Sequence, residues 1–195
     1  MRKLTLLSLG LLLCGAAHAQ FKEGDIQLGV GLNISEQGIV SNQINVKRIQ
    51  TGASLFLSDR LSAGLLLGYR NTLRTKFNNS DDELSDQVFQ FGIYARYHQA
   101  IADKVHVYLQ PSVLWGSGNS DISPVNNVDY RTVYLQLSPG ITYLFTERWG
   151  LDLSFSGLRY TQVKQDAGQI DDRLSDSDFT MNLNNISVGL SFYLN

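Results

Sequence analysis

Cysteine, proline and charge are all scarce in this 195-residue chain: one cysteine, three prolines, and 17% Asp, Glu, Lys and Arg. The cysteine, Cys14, lies within an apolar N-terminal run, so the sequence beyond it has no thiol for a disulfide, a nucleophile or a soft-metal site. With 16 Lys and Arg against 18 Asp and Glu, no basic excess is available to neutralise a phosphate backbone, and nucleic acid is excluded as an expected partner. Long apolar runs are missing too. The one at Leu4 to Cys14 is shorter than the roughly 20 residues a spanning helix needs.

That run follows Arg2 and Lys3 and leads through Gly15 and Ala16 into Ala17-His18-Ala19. A basic start, a short apolar core and small residues at the A-x-A positions are the pattern of a cleaved export signal, expected over residues 1–19. Leu13 stands where a lipoprotein signal carries a small residue, which argues against Cys14 as a lipid anchor. The expected mature domain is 20–195. Its formal charge falls to about -4 once Arg2 and Lys3 are removed from the balance.

What is present in this domain is alternation. At the C-terminus Ile186, Val188, Leu190, Phe192 and Leu194 alternate with Ser187, Gly189, Ser191 and Tyr193. The pattern recurs about eight times, near Gly24 to Ile34, Ile49 to Leu57, Leu61 to Arg70, Val88 to His98, Val105 to Trp115, Arg131 to Phe145, Trp149 to Ser156 and Asn185 to Asn195. Period-two alternation predicts strands. Three connections are short, at Ser58 to Arg60, Gln99 to Lys104 and Thr146 to Arg148. Four are long, at Ser35 to Lys47, Asn71 to Asp86, Ser117 to Asp129 and Thr161 to Asp178.

Alternation alone fits either a soluble barrel, apolar inside, or a membrane barrel, apolar outside. Charge separates the two. A water-facing surface is roughly a quarter to a third charged, whereas the polar faces of these segments carry Arg70, Arg96 and Asp152 among Gly, Ser, Gln and Tyr. Such a face suits a narrow interior. Tyr97, Tyr143, Trp149 and Phe192 fall near the short turns, and Tyr69, Phe89 and Trp115 near the long loops, as two interfacial belts require. The expectation is all-β: an eight-stranded antiparallel up-and-down transmembrane β-barrel, its short turns periplasmic and its long loops outside.

On these features the chain resembles the small outer-membrane barrels of the OmpA/OmpX type, without a periplasmic domain. The most specific local match is the pattern polar-x-Gly-x-x-aromatic-x-apolar on the last strand, met by Ser187, Gly189, Phe192 and Leu194. The family commonly ends on an aromatic residue, and this chain continues to Asn195. The resemblance implies an outer-membrane location and insertion by the barrel-assembly machinery with periplasmic chaperones. It also implies outer-membrane lipid and lipopolysaccharide as neighbours.

Candidate chemistry is thin, and no enzyme activity, cofactor or metal is expected. His98 and His106 flank a short turn and are expected as hydrogen-bonded lumen residues, since two imidazoles alone make a poor zinc set. The acidic stretches Asn78 to Glu83 and Asp171 to Asp176 lack the spacing and glycine of a calcium loop and read as solvated loop tips. Arg70, Tyr94, Arg96, Tyr108 and Asp152 are the candidates for filling the lumen; Arg96 and Asp152 are expected either to form an ion pair or one-water bridge or to find separate polar partners among Gln, Ser and Tyr. Pro111 and Pro139 sit at similar heights on adjacent strands and cannot donate ladder hydrogen bonds, so a bulge or break is expected between strands five and six or at their outer neighbours. The leading functional expectation is a structural, surface-interacting barrel recognising through its long loops. A narrow OmpW-like channel for small or apolar solutes is the alternative. An outer-leaflet lipid-modifying enzyme is a remote third, since the histidines lie at the wrong end.

Overall fold

The computed structural model describes residues 21–39, 42–76, 83–122, 126–165 and 175–194. Among them are eight strands: β1 (Ile26–Ile39), β2 (Asn42–Phe56), β3 (Leu61–Lys76), β4 (Glu83–Ala102), β5 (Val105–Ile122), β6 (Asn126–Leu144), β7 (Trp149–Gln165) and β8 (Ser175–Leu194). Each pairs antiparallel with its neighbour in sequence, and β1 pairs with β8 from Ile26↔Leu194 to Leu32↔Val188, closing the barrel. Closure follows from the solvent. A free strand edge in hydrocarbon would leave every backbone donor and acceptor on it unsatisfied.

The wall is apolar outward. Leu65, Phe91 and Ile93 are at least half exposed, whereas the bulky inward residues Tyr94, Tyr108, Leu114 and Tyr134 are buried. Outward aromatics are exposed toward both ends: Tyr97, Tyr143 and Trp149 beside the short turns, Tyr69, Phe89 and Trp115 toward the other rim. Phe192 packs on Trp149, ring centroids 4.8 Å apart.

The strands are longer than alternation suggests, at 14 to 20 residues. Much of what reads as long connection is hairpin. Ser35 to Ile39 continues β1, and Asn42 to Lys47 opens β2, paired from Ile39↔Asn42 to Ile34↔Lys47. Hydrogen bonding to the partner strand continues where the apolar-outward pattern stops, so the sequence signal ends before the ladder does. The acidic stretch at residues 78–83 lies outside the described residues except for Glu83, and that at 171–176 except for Ser175 and Asp176.

The two prolines act at the outer neighbours. The β5–β6 ladder runs in one register through Leu109↔Pro139 and Pro111↔Leu137. On the far side of Pro111 the β4–β5 pairing skips from Tyr94↔Ser112 to Tyr97↔Leu109. On the far side of Pro139 the β6–β7 pairing jumps from Leu137↔Leu158 to Gly140↔Ser154, leaving one extra residue on β7. Each proline turns its missing N–H away from the shared seam, which is why that seam survives.

The β7 irregularity has a consequence for side-chain direction. Below it Asp152 points inward; above it Arg159 points inward and Tyr160 outward, so inward parity changes from even to odd. β8 resets in step, since Phe155↔Ile186 is followed by Gly157↔Asn182. Val188 and Leu190 face outward below the reset, Phe179 and Met181 above it. Gly157 makes this possible with a φ of 59°, and a Cβ there would lie 2.0 Å from the Leu137 carbonyl oxygen.

Candidate functional site in the barrel lumen

The lumen is built in two storeys. At the turn end, Phe21 precedes β1 and enters the barrel by a turn in which the Asp25 carboxylate accepts from the Lys22 N–H at 2.9 Å. Gly24, with a φ of 92°, donates to the Phe56 carbonyl at 2.9 Å and ties the segment to the end of β2. Phe21 is thereby buried with Phe56, Leu144 and Tyr193. Its ring lies 4.6 Å from Phe56, 4.7 Å from His106 and 5.0 Å from both His98 and Tyr193.

The two histidines are thus packed into an aromatic layer. Both ring nitrogens of His98 and Nε2 of His106 are buried without a hydrogen-bond partner. The expectation of satisfied lumen histidines is corrected. Rings from β2, β4, β5 and β8 converge on Phe21 and exclude the polar groups that would have served them. Among the described residues no three His, Cys, Asp or Glu side chains gather as a metal set.

Above this layer Arg96 and Asp152 meet across the lumen, Nη1 to Oδ2 3.6 Å. This is an ion contact without hydrogen-bond geometry at Nη1. Arg96 Nε donates to Gln110 Oε1 at 2.9 Å, and its guanidinium lies 4.1 Å from the Tyr108 ring centroid and 5.8 Å from that of Tyr94. The Asp152 carboxylate accepts from the Thr142 and Ser191 hydroxyls. Gln27 Nε2 donates to Ser191 Oγ at 2.9 Å, and Ser54 Oγ to Gln27 Oε1 at 3.4 Å. One polar network therefore runs from β4 through β5 to β8 and on to β1 and β2. Alternation puts each of these groups on the inner face, and closure brings them together.

The outer storey departs from expectation. Arg70 does point inward, pairing with Asp86 at 3.3 Å, and Tyr130 donates its hydroxyl to the same carboxylate. Two further arginines join it. Arg48 is directly opposite Arg70 in the β2–β3 ladder, and Arg159 donates to Gln136 Oε1 at 3.1 Å. Arg70 and Arg159 lie 5.9 and 5.8 Å from the Tyr134 ring centroid. Neither Arg48 nor Arg159 stands out in the sequence. Arg48 is one residue before the apparent start of its strand, and Arg159 has outward parity until the β7 irregularity turns it in. Between the storeys is a polar cavity of about 100 Å³ bounded by Arg48, Gln50, Gln110, Gln136, Ser138 and the Arg96–Asp152 pair, among others.

The four residues of the candidate assembly signal lie on β8, three of them in the closing seam. Gly189 faces Gly31, Phe192 faces Leu28, and Leu194 faces Ile26. A Cβ on Gly189 would lie 2.8 Å from the Val30 carbonyl oxygen. Ser187 faces inward, on the cavity wall.

Comparison with known proteins agrees with this architecture. No curated protein matches the chain. Among solved structures, the outer membrane protein OprG from Pseudomonas aeruginosa aligns with a TM-score of 0.56 at 9% identity, over 91% of this chain and 99% of that one. The N-terminal β-barrel domain of Pseudomonas aeruginosa OprF aligns at 0.49 and 14% identity over 89% and 100%. Neisserial surface protein A aligns at 0.47 and 15% identity over 91% and 99%. At 9% identity the likeness to OprG is one of fold. The model of the outer membrane protein beta-barrel domain matches residues 5–193, nearly the whole chain, and the chain belongs to that family of outer-membrane barrels.

Proposed function

We propose that this protein is a closed, non-enzymatic outer-membrane barrel whose task is structural and surface-interacting, carried by the segments joining its strands at the outer rim. The observation that carries this reading is the filled lower lumen. Phe21, Phe56, Leu144 and Tyr193 occupy the turn end, and the Arg96–Asp152 pair crosses directly above. An eight-stranded barrel has room for little beyond its own side chains, and a paired, stacked guanidinium resists displacement by a passing ion. In this reading residues 1–19 serve as the export signal. Periplasmic chaperones and the barrel-assembly machinery receive the chain through Ser187, Gly189, Phe192 and Leu194, and outer-membrane lipid and lipopolysaccharide surround the wall. The deciding experiment is conductance of the refolded barrel in a planar bilayer. Silence, or only brief flickers, is expected; long-lived openings of uniform size would overturn the proposal.

A second reading, a narrow porin-like channel with a lateral exit for small apolar solutes, has one specific observation in its favour. Ala63, Ala95 and Pro111 form a shallow apolar groove on the outer face with Val113, Leu137 and Leu158, beside the ladder breaks opposite Pro111 and Pro139. Uptake of a small apolar fluorophore into proteoliposomes without ionic conductance would favour this reading.

A further inference from the structure

The outer storey of the lumen carries more positive charge than it neutralises. Arg48 stands directly opposite Arg70, Arg70 and Arg159 both lie within 6 Å of the Tyr134 ring, and among the described residues Asp86, bound to Arg70, is the one carboxylate in an ion pair with any of the three. Arginines directly opposite in a ladder, as Arg48 and Arg70 are, disfavour folding unless something else answers their charge. Arg48 is only 8% exposed, and its Nε is buried with no hydrogen-bond partner. The Nε atoms of Arg70 and Arg159 are equally unpartnered. A buried guanidinium with unused donors is costly, and the cost is removed by an acceptor bearing negative charge.

The cavity supplies the place for one. Arg48 bounds it on the side of the arginine cluster. Gln136, which holds the Arg159 guanidinium, forms another wall; further Gln, Ser and Gly residues line it together with Tyr94, Tyr108, Leu66 and Leu114, and Asp152 is already engaged by Arg96, Thr142 and Ser191. Neutral amides and hydroxyls beside the Arg48 guanidinium can donate to the oxygens of a tetrahedral anion, and a volume of about 100 Å³ holds one. The Arg70 and Asp86 side chains are 16% and 22% exposed, so solvent reaches the cluster from above, while the aromatic layer around Phe21 closes the route from below.

We propose that the lumen cavity beneath the outer arginines is a binding site for a small free oxyanion of the phosphate or sulfate class, held by Arg48 on its wall, favoured by the charge of Arg70 and Arg159 nearby, and entered from the outer mouth. The inference is independent of whether the barrel recognises partners through its rim or conducts. A sealed barrel with a loaded site would present it as a receptor pocket.

The test uses the refolded barrel in a detergent without phosphate groups. Its thermal unfolding midpoint is followed in sodium phosphate and in sodium chloride at equal ionic strength. Phosphate should raise the midpoint by several degrees over chloride, with saturation, and calorimetric titration with inorganic phosphate should give one site per chain. Arg48→Gln should abolish the increment and weaken binding at least tenfold without lowering the midpoint in chloride. Arg48→Lys should keep part of it, and Lys104→Gln, at an exposed turn on the opposite rim, all of it. Should Arg48→Gln fail to refold, Arg159→Gln, which removes charge beside the site, should reduce the increment. Equal midpoints in the two salts, or an increment unchanged in these arginine variants, would overturn the proposal. So would an increment lost equally in Lys104→Gln, because that would be a surface salt effect.

Discussion

The two storeys of the lumen put arginine to opposite uses. In the lower one, Arg96 finds its countercharge within the chain: a carboxylate at 3.6 Å, with a glutamine on Nε and a tyrosine face at 4.1 Å, although Nη1 makes no hydrogen bond. In the outer one, Asp86 is paired with Arg70, no described carboxylate forms an ion pair with Arg48 or Arg159, and Arg48 has no partner on Nε. A charge satisfied by the chain itself serves the fold; charges left over serve something that is not in the chain. The comparison predicts that substitutions below will cost stability and that substitutions above will cost little.

The largest effect is expected from Asp152→Ala. It strands Arg96 in an interior already closed by Tyr94, Tyr108 and Tyr193, and breaking a buried pair from one side costs about 3–5 kcal/mol. Urea unfolding in lipid vesicles reads this directly. A loss below about 1 kcal/mol would mean that water already screens the pair and that the storeys do not differ.

Phe21→Ala comes next, at about 3 kcal/mol, the low end for a buried phenylalanine because a segment outside the ladder regains freedom when released. Hydrogen exchange at Phe56 and Tyr193 should speed up while exchange in the β5–β6 ladder does not. If bilayer recordings of this variant show openings that the unmodified barrel lacks, the aromatic layer is the seal.

Gly157→Ala should cost about 2 kcal/mol, since the new methyl would meet a backbone oxygen at 2.0 Å in a left-handed conformation. It also sharpens the comparison. If the β7 reset shifts, Arg159 loses its inward place, and anion binding should fall together with stability.

Legibility in the sequence divides along the same line. Strand number, closure and facing follow from period-two alternation and from polar faces too poor in charge to meet water, as Gln27, Ser54 and Ser191 show. Facing and height bring Arg96 and Asp152 within reach but leave open whether they pair or take separate partners, and the structure shows both, a 3.6 Å ion contact beside Gln110, Thr142 and Ser191. Phe21 escapes because a lone aromatic before a turn has no periodicity to reveal it. Arg159 escapes because alternation carries no record of an extra residue: Gly157 resets parity, and only the positions of Tyr160, Phe179 and Met181, which must face lipid, hint at it. Arg48 escapes for a simpler reason, its position at the edge of the apolar pattern where strand and loop look alike. The outer arginine cluster draws on β2, β3 and β7 around a tyrosine of β6, and closure alone assembles it.

The smallest effect, and the most telling, is expected from Arg48→Gln beside Arg96→Gln. The lower substitution leaves the Asp152 carboxylate buried with its hydroxyl donors but no countercharge, and should be destabilising by several kcal/mol. The upper one removes a guanidinium that faces Arg70 across the ladder. Relief of that repulsion offsets the lost contacts of its alkyl stem, so unfolding free energy in chloride should change by less than about 1 kcal/mol, with the variant as stable as the parent or slightly more so. Low salt should accentuate the gain, because repulsion is then less screened. If Arg48→Gln instead costs as much as Arg96→Gln in a buffer free of phosphate and sulfate, Arg48 has a partner within the chain, and the two storeys are alike.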